Sequence, residues 1–212
     1  MDPDRLEGSV QDPAEDGRRF VVGLGNPGRE YARTRHNVGF RVVEALRRRW
    51  GADEGRTAFG GRLCDARPAR PPAGARRVML LEPQTYMNRS GQAVREMVLF
   101  YKAALDELLI VLDDMALPPG RLRARAAGSA GGHKGLGDIL TALGSEQVPR
   151  LRIGVGQPPA YMDATDFVLA PFDDEELEMV DAAILAAADA VEDWVFNGLP
   201  FVMEKYNRKP ES

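Results

Sequence analysis

Histidine, carboxylate and carboxamide side chains are the groups in this sequence whose placement points to chemistry. The chain has 212 residues and two histidines, His36 and His133. Asn26 and His36 follow one apolar run, Asn88 follows a second run, and Asp113 ends a third. A carboxylate that orients an imidazole makes it a general base toward water, and amide donors stabilise an oxyanion. These residue types together predict hydrolysis of an ester by activated water.

Short apolar runs must place these polar residues in one cleft. Residues 20–24, 78–81 and 108–112 are such runs, and each is typical of a buried strand. Ligands of an open α/β sheet bind beyond the carboxyl ends of its parallel strands, where the polar residues follow. We therefore expect Asn26, Asn88 and Asp113 to meet although they are far apart in the chain.

The segments between the predicted strands have the residue spacing of helices. Val38, Val42 and Leu46 recur every four residues, so a helix begins only after His36. Ser90 is a predicted N-cap for a second helix. The order of strand, helix and strand over 78–112 predicts a βαβ unit with parallel pairing.

The rest of the chain completes one α/β domain. We predict further strands at 59–66, 121–126 and 151–155, a mobile loop at 67–75, a glycine-rich loop at 128–137 before a short helix, and a long closing helix that carries 177–195. The domain is expected to span 18–207, with an acidic disordered tail at 1–17 and a C-terminal tail at 208–212.

Two other chemistries are disfavoured. Cys64 is the single cysteine and the chain lacks a G-x-S-x-G turn, so water is the expected attacker, and neither a metal nor another cofactor is predicted. Gly23, Gly25 and Gly28 have G-x-G-x-x-G spacing. A dinucleotide site needs a helix that starts among these glycines, and Pro27 intervenes. A nucleotide-cofactor oxidoreductase stays open as a third hypothesis, which a cofactor titration tests.

Charge is distributed unevenly. The formal net charge is −4, yet 18–152 carry 24 basic and 13 acidic residues, a net of +11. A basic block on an acidic chain suggests that one face meets a polyanion such as RNA. The acidic N-terminus lacks an apolar run and no stretch is long enough to span a bilayer, so we expect a cytoplasmic protein without membrane contact.

Five sequence runs resemble bacterial-type peptidyl-tRNA hydrolase over nearly the whole chain. They are VVGLGNPGREYARTRHNVGF from Val21, EPQTYMNRSGQAV from Glu82, LDDMALPPGRLR from Leu112, GSAGGHKGL from Gly128 and RLRIGVGQP from Arg150. The resemblance implies one α/β domain with a twisted mixed, largely parallel sheet between helices. It also implies a monomer that cleaves the ester between a peptide and the 3′-terminal ribose of tRNA.

The resemblance assigns roles to individual residues of this chain. His36 would be the general base and Asp113 would orient it, while Asn26 and Asn88 would position substrate and water and stabilise the oxyanion. The implied binding residues are Tyr31 and Met87 in the cleft, and Lys102, Arg125, Lys134 and Arg152 for tRNA.

Lys134 departs from the family pattern, which usually has Asn directly after the histidine of the glycine-rich loop. Lysine donates hydrogen bonds but accepts none, so altered substrate binding or slower turnover is expected. His133 itself is expected to be structural. The alternative hypothesis, motivated by Lys134, is a non-catalytic relative that binds tRNA or another RNA.

Overall fold

The computed structural model describes residues 17–208. Its strands are β1 Arg19–Gly23, β2 Arg56–Ala58, β3 Gly61–Ala66, β4 Ala69–Arg70, β5 Gly74–Ala75, β6 Val78–Pro83, β7 Leu108–Asp114, β8 Leu122–Arg125 and β9 Arg150–Gly154. Its α-helices are α1 Val38–Arg49, α2 Ser90–Tyr101, α3 Lys134–Leu143, α4 Ala164–Leu169 and α5 Asp174–Tyr206. The predicted tails lie outside the described residues except for Gly17 and Arg208.

Seven strands form one mixed sheet in the order β2-β3-β6-β1-β7-β9-β8. The four inner strands run parallel, and the outer ones pair antiparallel. The predicted α/β class, with a largely parallel sheet flanked by helices, is confirmed. One expectation within it was wrong, because β6 and β7 do not pair with each other: β1 lies between them and is parallel to both.

Alternate residues of the central strands feed two apolar layers. Val21 and Val111 face α1 and α5, whereas Val22 and Ile110 face α2 and α3. Strands buried on both faces read as continuous apolar runs, which is why sequence identified them. No helix of residues 17–208 is long and apolar enough to cross a membrane.

Several local expectations need correction. Ser90 is the first helical residue of α2 and no cap, because its hydroxyl donates to the carbonyl of Met87 at 2.9 Å. The segment predicted as a mobile loop at 67–75 contains the β4–β5 hairpin, which Arg70 ties to Asp193 on α5 at 3.0 Å. Helix α3 begins inside the predicted glycine-rich loop, and α4 was not predicted.

Candidate active site

His36 is held in a tight turn between β1 and α1. It is the middle residue of a 3₁₀ turn, Arg35–Asn37, and α1 starts immediately afterwards. Two glycines let this helix approach the sheet: a Cβ on Gly23 or on Gly39 would lie closer than 3.0 Å to backbone atoms across the contact. The late helix start that the sequence predicted therefore leaves His36 buried at the carboxyl end of β1.

Asp113 binds His36 from the neighbouring strand. It lies at the carboxyl end of β7, which pairs with β1, and its Oδ1 is 2.8 Å from Nδ1 of His36. A carboxylate only accepts hydrogen bonds, so Nδ1 of His36 carries the proton. The lone pair of Nε2 is then free to take a proton from water, which is the requirement for a general base.

His133 is a third member of this cluster, which the sequence analysis expected only to be structural. Its Nε2 lies 3.0 Å from the same Oδ1 of Asp113, and its Nδ1 accepts a hydrogen bond from the N–H of Leu136 at 3.1 Å. The two contacts fix the neutral tautomer with the proton on Nε2. His133 is thus both the N-cap of α3 and a second donor to Asp113.

The carboxylate of Asp113 is strongly held in its ionised form. Burial acts to raise its pKa, but the electrostatic attraction and hydrogen bonds between the carboxylate and His133 and His36 outweigh burial, so the pKa lies well below its usual range. An ionised Asp113 can stabilise an imidazolium on His36. This is the role of an orienting carboxylate beside a histidine that acts as a general base.

The side chain of Asn26 is held by its neighbours so that the NH₂ group of its carboxamide is left without a partner among the described residues. Its Oδ1 accepts from the N–H of Met87 at 2.9 Å. The side chain of Asn37 holds the backbone of Asn26 by two hydrogen bonds, one to its N–H and one to its carbonyl, both 2.9 Å long. Within residues 17–208 the Nδ2 of Asn26 makes no hydrogen bond. This donor group is therefore left for a ligand.

A cavity of about 560 Å³ connects these groups. It is lined by Asn26, His36, Met87, Asn88, Asp113, His133, Lys134 and Arg152, with apolar side chains that include Leu112, Met115, Val168 and Leu169. Asn88 is exposed at this wall, beside the buried Met87. The structure thus brings together the four residues that sequence placed at strand ends, and α4 supplies part of the wall of the cavity.

The predicted tRNA-binding residues are spread more widely. Lys134 and Arg152 line the cavity, and Arg152 lies 2.8 Å from Asp114 as an ion pair without well-aligned hydrogen-bond geometry. Arg125 is exposed at the end of β8. Lys102 follows α2, so it lies about 18 Å along the helix axis from the Asn88 end.

Tyr31 does not line the cavity, contrary to the expectation for a cleft residue. It belongs to a separate 3₁₀ turn, Arg29–Tyr31. The carbonyl of Tyr31 accepts a hydrogen bond from the hydroxyl of Thr34 at 2.9 Å. This turn also explains why the glycine-rich fingerprint does not build a dinucleotide site, since no α-helix starts among its glycines.

His36, Asp113 and His133 also form the group in residues 17–208 whose ligand atoms lie within 4.8 Å and could approach a metal ion. Both imidazoles instead donate to one carboxylate oxygen at hydrogen-bond distances, so coordination through these two nitrogens would require both rings to change tautomer and both hydrogen bonds to break. The metal-free site stays a prediction. Cys64 is buried in β3, and burial raises the pKa of its thiol, which disfavours a thiolate nucleophile.

Known proteins resemble this chain over most of its length. A family described as peptidyl-tRNA hydrolase matches residues 20–212. The peptidyl-tRNA hydrolase of Rhodopirellula baltica is 48% identical over 189 residues, which cover 89% of this chain and 97% of that protein. That of Lacticaseibacillus casei is 45% identical over 191 residues, with 89% and 100% covered. The crystal structure of the Acinetobacter baumannii enzyme superposes with a TM-score of 0.81 at 38% identity, covering 91% of this chain and 95% of that one.

Proposed function

This chain belongs to the peptidyl-tRNA hydrolase family, and we propose that His36 is the general base of its reaction. The activity is hydrolysis of the ester between the peptide and the 3′-terminal ribose of peptidyl-tRNA, which releases the tRNA for translation. The observation that supports the role of His36 is its 2.8 Å contact with Asp113 inside the cavity.

The reaction begins with water next to Nε2 of His36. As the water oxygen attacks the ester carbonyl, Nε2 takes its proton and the ring becomes an imidazolium beside the ionised Asp113. The carbonyl oxygen gains negative charge, which Nδ2 of Asn26 and the amide of Asn88 stabilise. When the tetrahedral intermediate collapses, the 3′ oxygen of the ribose leaves and receives the proton back from His36.

Asn26 suits this role because its amide is oriented before substrate arrives. The N–H of Met87 occupies its oxygen at 2.9 Å, so the donor side of the amide is fixed toward the oxyanion. Donors that need no reorientation stabilise a transition state better than free ones. Met87, Asn88 and Asn26 therefore act as one structural unit on two strand ends.

Four cations are proposed to bind the tRNA: Lys134 and Arg152 near the scissile ester, and Arg125 and Lys102 farther away. The affinity should fall steeply with salt, because phosphate contacts release counterions. Lys134→Gln should reduce the slope of log affinity against log salt by about 1 if Lys134 contacts a phosphate. An unchanged slope contradicts that contact.

We also propose that the enzyme acts in the cytoplasm and that it acts as a monomer. A monomer is supported because residues of one chain line the whole cleft described above.

His36→Ala tests the general base. Single-turnover hydrolysis of peptidyl-tRNA should slow by about 10² to 10⁴, which is the usual worth of general-base catalysis. Binding of deacylated tRNA should stay within twofold of wild type. Near-wild-type turnover by the folded variant would show that another group activates water. No observation in the structure favours the non-catalytic RNA-binding alternative.

A further inference from the structure

Arg35, the residue before His36, is buried with only 6% of its surface exposed. Its guanidinium lies against two aromatic rings, 4.3 Å from the centroid of Phe167 and 4.8 Å from that of Phe172. A cation desolvated in this way is costly unless its hydrogen bonds are made inside the protein. The mechanism above gives this side chain no task, so its burial needs another explanation.

The hydrogen bonds that Arg35 donates all lead to one segment. Its Nη1 donates to the carbonyl of Pro171 at 2.5 Å, and its backbone N–H donates to the carbonyl of Ala170 at 3.2 Å. Its Nη2 donates to Glu176, which also accepts the N–H of Asp173 in the capping box of α5. One guanidinium thus joins the His36 turn to the connection between α4 and α5.

The segment that Arg35 holds is a wall of the cleft. Helix α4 has only six residues, and so short a helix is not stable by itself in water. Val168 and Leu169 face the cavity, whereas Phe167 packs on Arg35. Arg35 therefore fixes the distance between this wall and His36, the residue that follows Arg35 in the chain.

The chemistry of the α4 wall suits the peptide part of the substrate better than the tRNA. Val168 and Leu169 are apolar, and two carboxylates, Asp163 and Asp166, lie at the N-terminal end of the helix. Acidic groups repel phosphates, whereas an apolar wall accepts peptide side chains. The cations Lys134 and Arg152 are carried by other elements of the cavity, α3 and β9.

We propose that Arg35 is a positioning residue for hydrolysis: it holds the α4 wall against the His36 turn and so keeps the peptide-binding side of the cleft in place. The proposal rests on the proposed function. The backbone hydrogen bond to Ala170 and the bridge between Thr34 and Pro171 also join the two segments and do not depend on the side chain, so loss of the guanidinium should loosen the α4 wall without detaching it.

The experiment compares Arg35→Met and Arg35→Lys with wild type. Methionine keeps an unbranched apolar stem and removes all donors, while lysine keeps the charge but lacks the planar fork that donates to both Pro171 and Glu176. For both variants KM for peptidyl-tRNA should rise about tenfold, equivalent to roughly 1.4 kcal/mol of binding, with kcat changed less than threefold. The inhibition constant of deacylated tRNA should stay within twofold of wild type.

Arg49→Met is the matched control. Arg49 also joins an element near the site, α1, to α5, through a 2.7 Å ion pair with Asp189, but it lies away from the cleft. This variant should leave both kinetic constants unchanged.

Three outcomes would overturn the role of Arg35: unchanged KM in both variants, a fall in kcat at constant KM, or a parallel loss of affinity for deacylated tRNA. Thermal unfolding shows which variants are folded, and Arg35→Lys serves if Arg35→Met is not. His36→Ala tests the general base separately, so failure of one assignment leaves the other standing.

Discussion

Replacing Asp113 by asparagine separates its charge from its geometry. Both histidines donate to the same oxygen of Asp113, so the single carbonyl oxygen of an asparagine can accept both hydrogen bonds. His133 must donate from Nε2, because its Nδ1 is occupied by Leu136. The amide is thereby prevented from flipping its NH₂ group toward the histidines. His36 should keep the proton on Nδ1 and the lone pair on Nε2.

The expected loss is then only that of the negative charge. An imidazolium and a carboxylate whose charges lie about 4 Å apart attract by roughly 4 kcal/mol at an effective dielectric constant of about 20. The difference between hydrogen bonds to charged and neutral acceptors is smaller, about 1.5 kcal/mol. These limits correspond to a rate loss of about 10-fold to 10³-fold. A change that imposes the wrong histidine tautomer costs about 10⁴ in the serine protease triad.

The assay is single-turnover hydrolysis of peptidyl-tRNA with Asp113→Asn and the matched control Asp193→Asn. Asp193 is also buried, but it lies on α5 and binds Lys205 and Tyr206, both at 2.8 Å. The control should lose stability in urea and keep its rate. A near-wild-type rate for Asp113→Asn would show that the charge is not used. A loss of 10⁴ or more would refute the tautomer argument from His133.

Two further predictions concern stability. Gly39→Ala should destabilise the fold by about 1 to 3 kcal/mol, the usual cost of overpacking. The reason is that the new Cβ would lie under 3.0 Å from backbone atoms of Leu24 and Val111. Urea unfolding at neutral pH measures this loss, and an unchanged unfolding midpoint would contradict the prediction. Hydrogen bonding by Arg47 is the largest of the effects that lower the pKa of Glu44 to about 2, so its ionised form stabilises the fold above pH 4.5 and this contribution is lost as the pH falls toward 2. Glu44→Gln should therefore lower the free energy of unfolding by about 1 to 2 kcal/mol at pH 7. This is below the roughly 3 kcal/mol that the full pKa shift would give, because the side chain is partly exposed. The difference between variant and wild type should disappear near pH 2, and a difference that does not change with pH would show that the pKa of Glu44 is not linked to stability.

Local signals account for what sequence predicted well. The strands beside the cleft are apolar runs, and the spacing of Val38, Val42 and Leu46 marked the start of α1. The rule that polar residues at carboxyl ends of parallel strands share a cleft then brought Asn26 close to Asp113. None of these steps needed knowledge of contacts between distant side chains.

Distant contacts explain what sequence missed. The segment at 67–75 has the prolines and glycine of a loop, but Arg70 reaches Asp193 on α5, 123 residues away in the chain, and the segment forms a hairpin. His133 was assigned a structural role because glycines flank it. Its second contact depends on the end of β7, which the sequence around His133 does not encode.

Charge counting had the same limit, and Arg35 shows why. The net charge of +11 over 18–152 suggested a surface for RNA, and Arg35 was counted in it. In the structure, Arg35 and Arg150 are buried and donate to backbone carbonyls, while Arg152 pairs with Asp114. Arginine can be buried in this way because its planar group stacks on aromatic rings and donates several hydrogen bonds. Part of the basic block is therefore used in contacts within the protein, so the number of phosphates contacted should be smaller than the net charge.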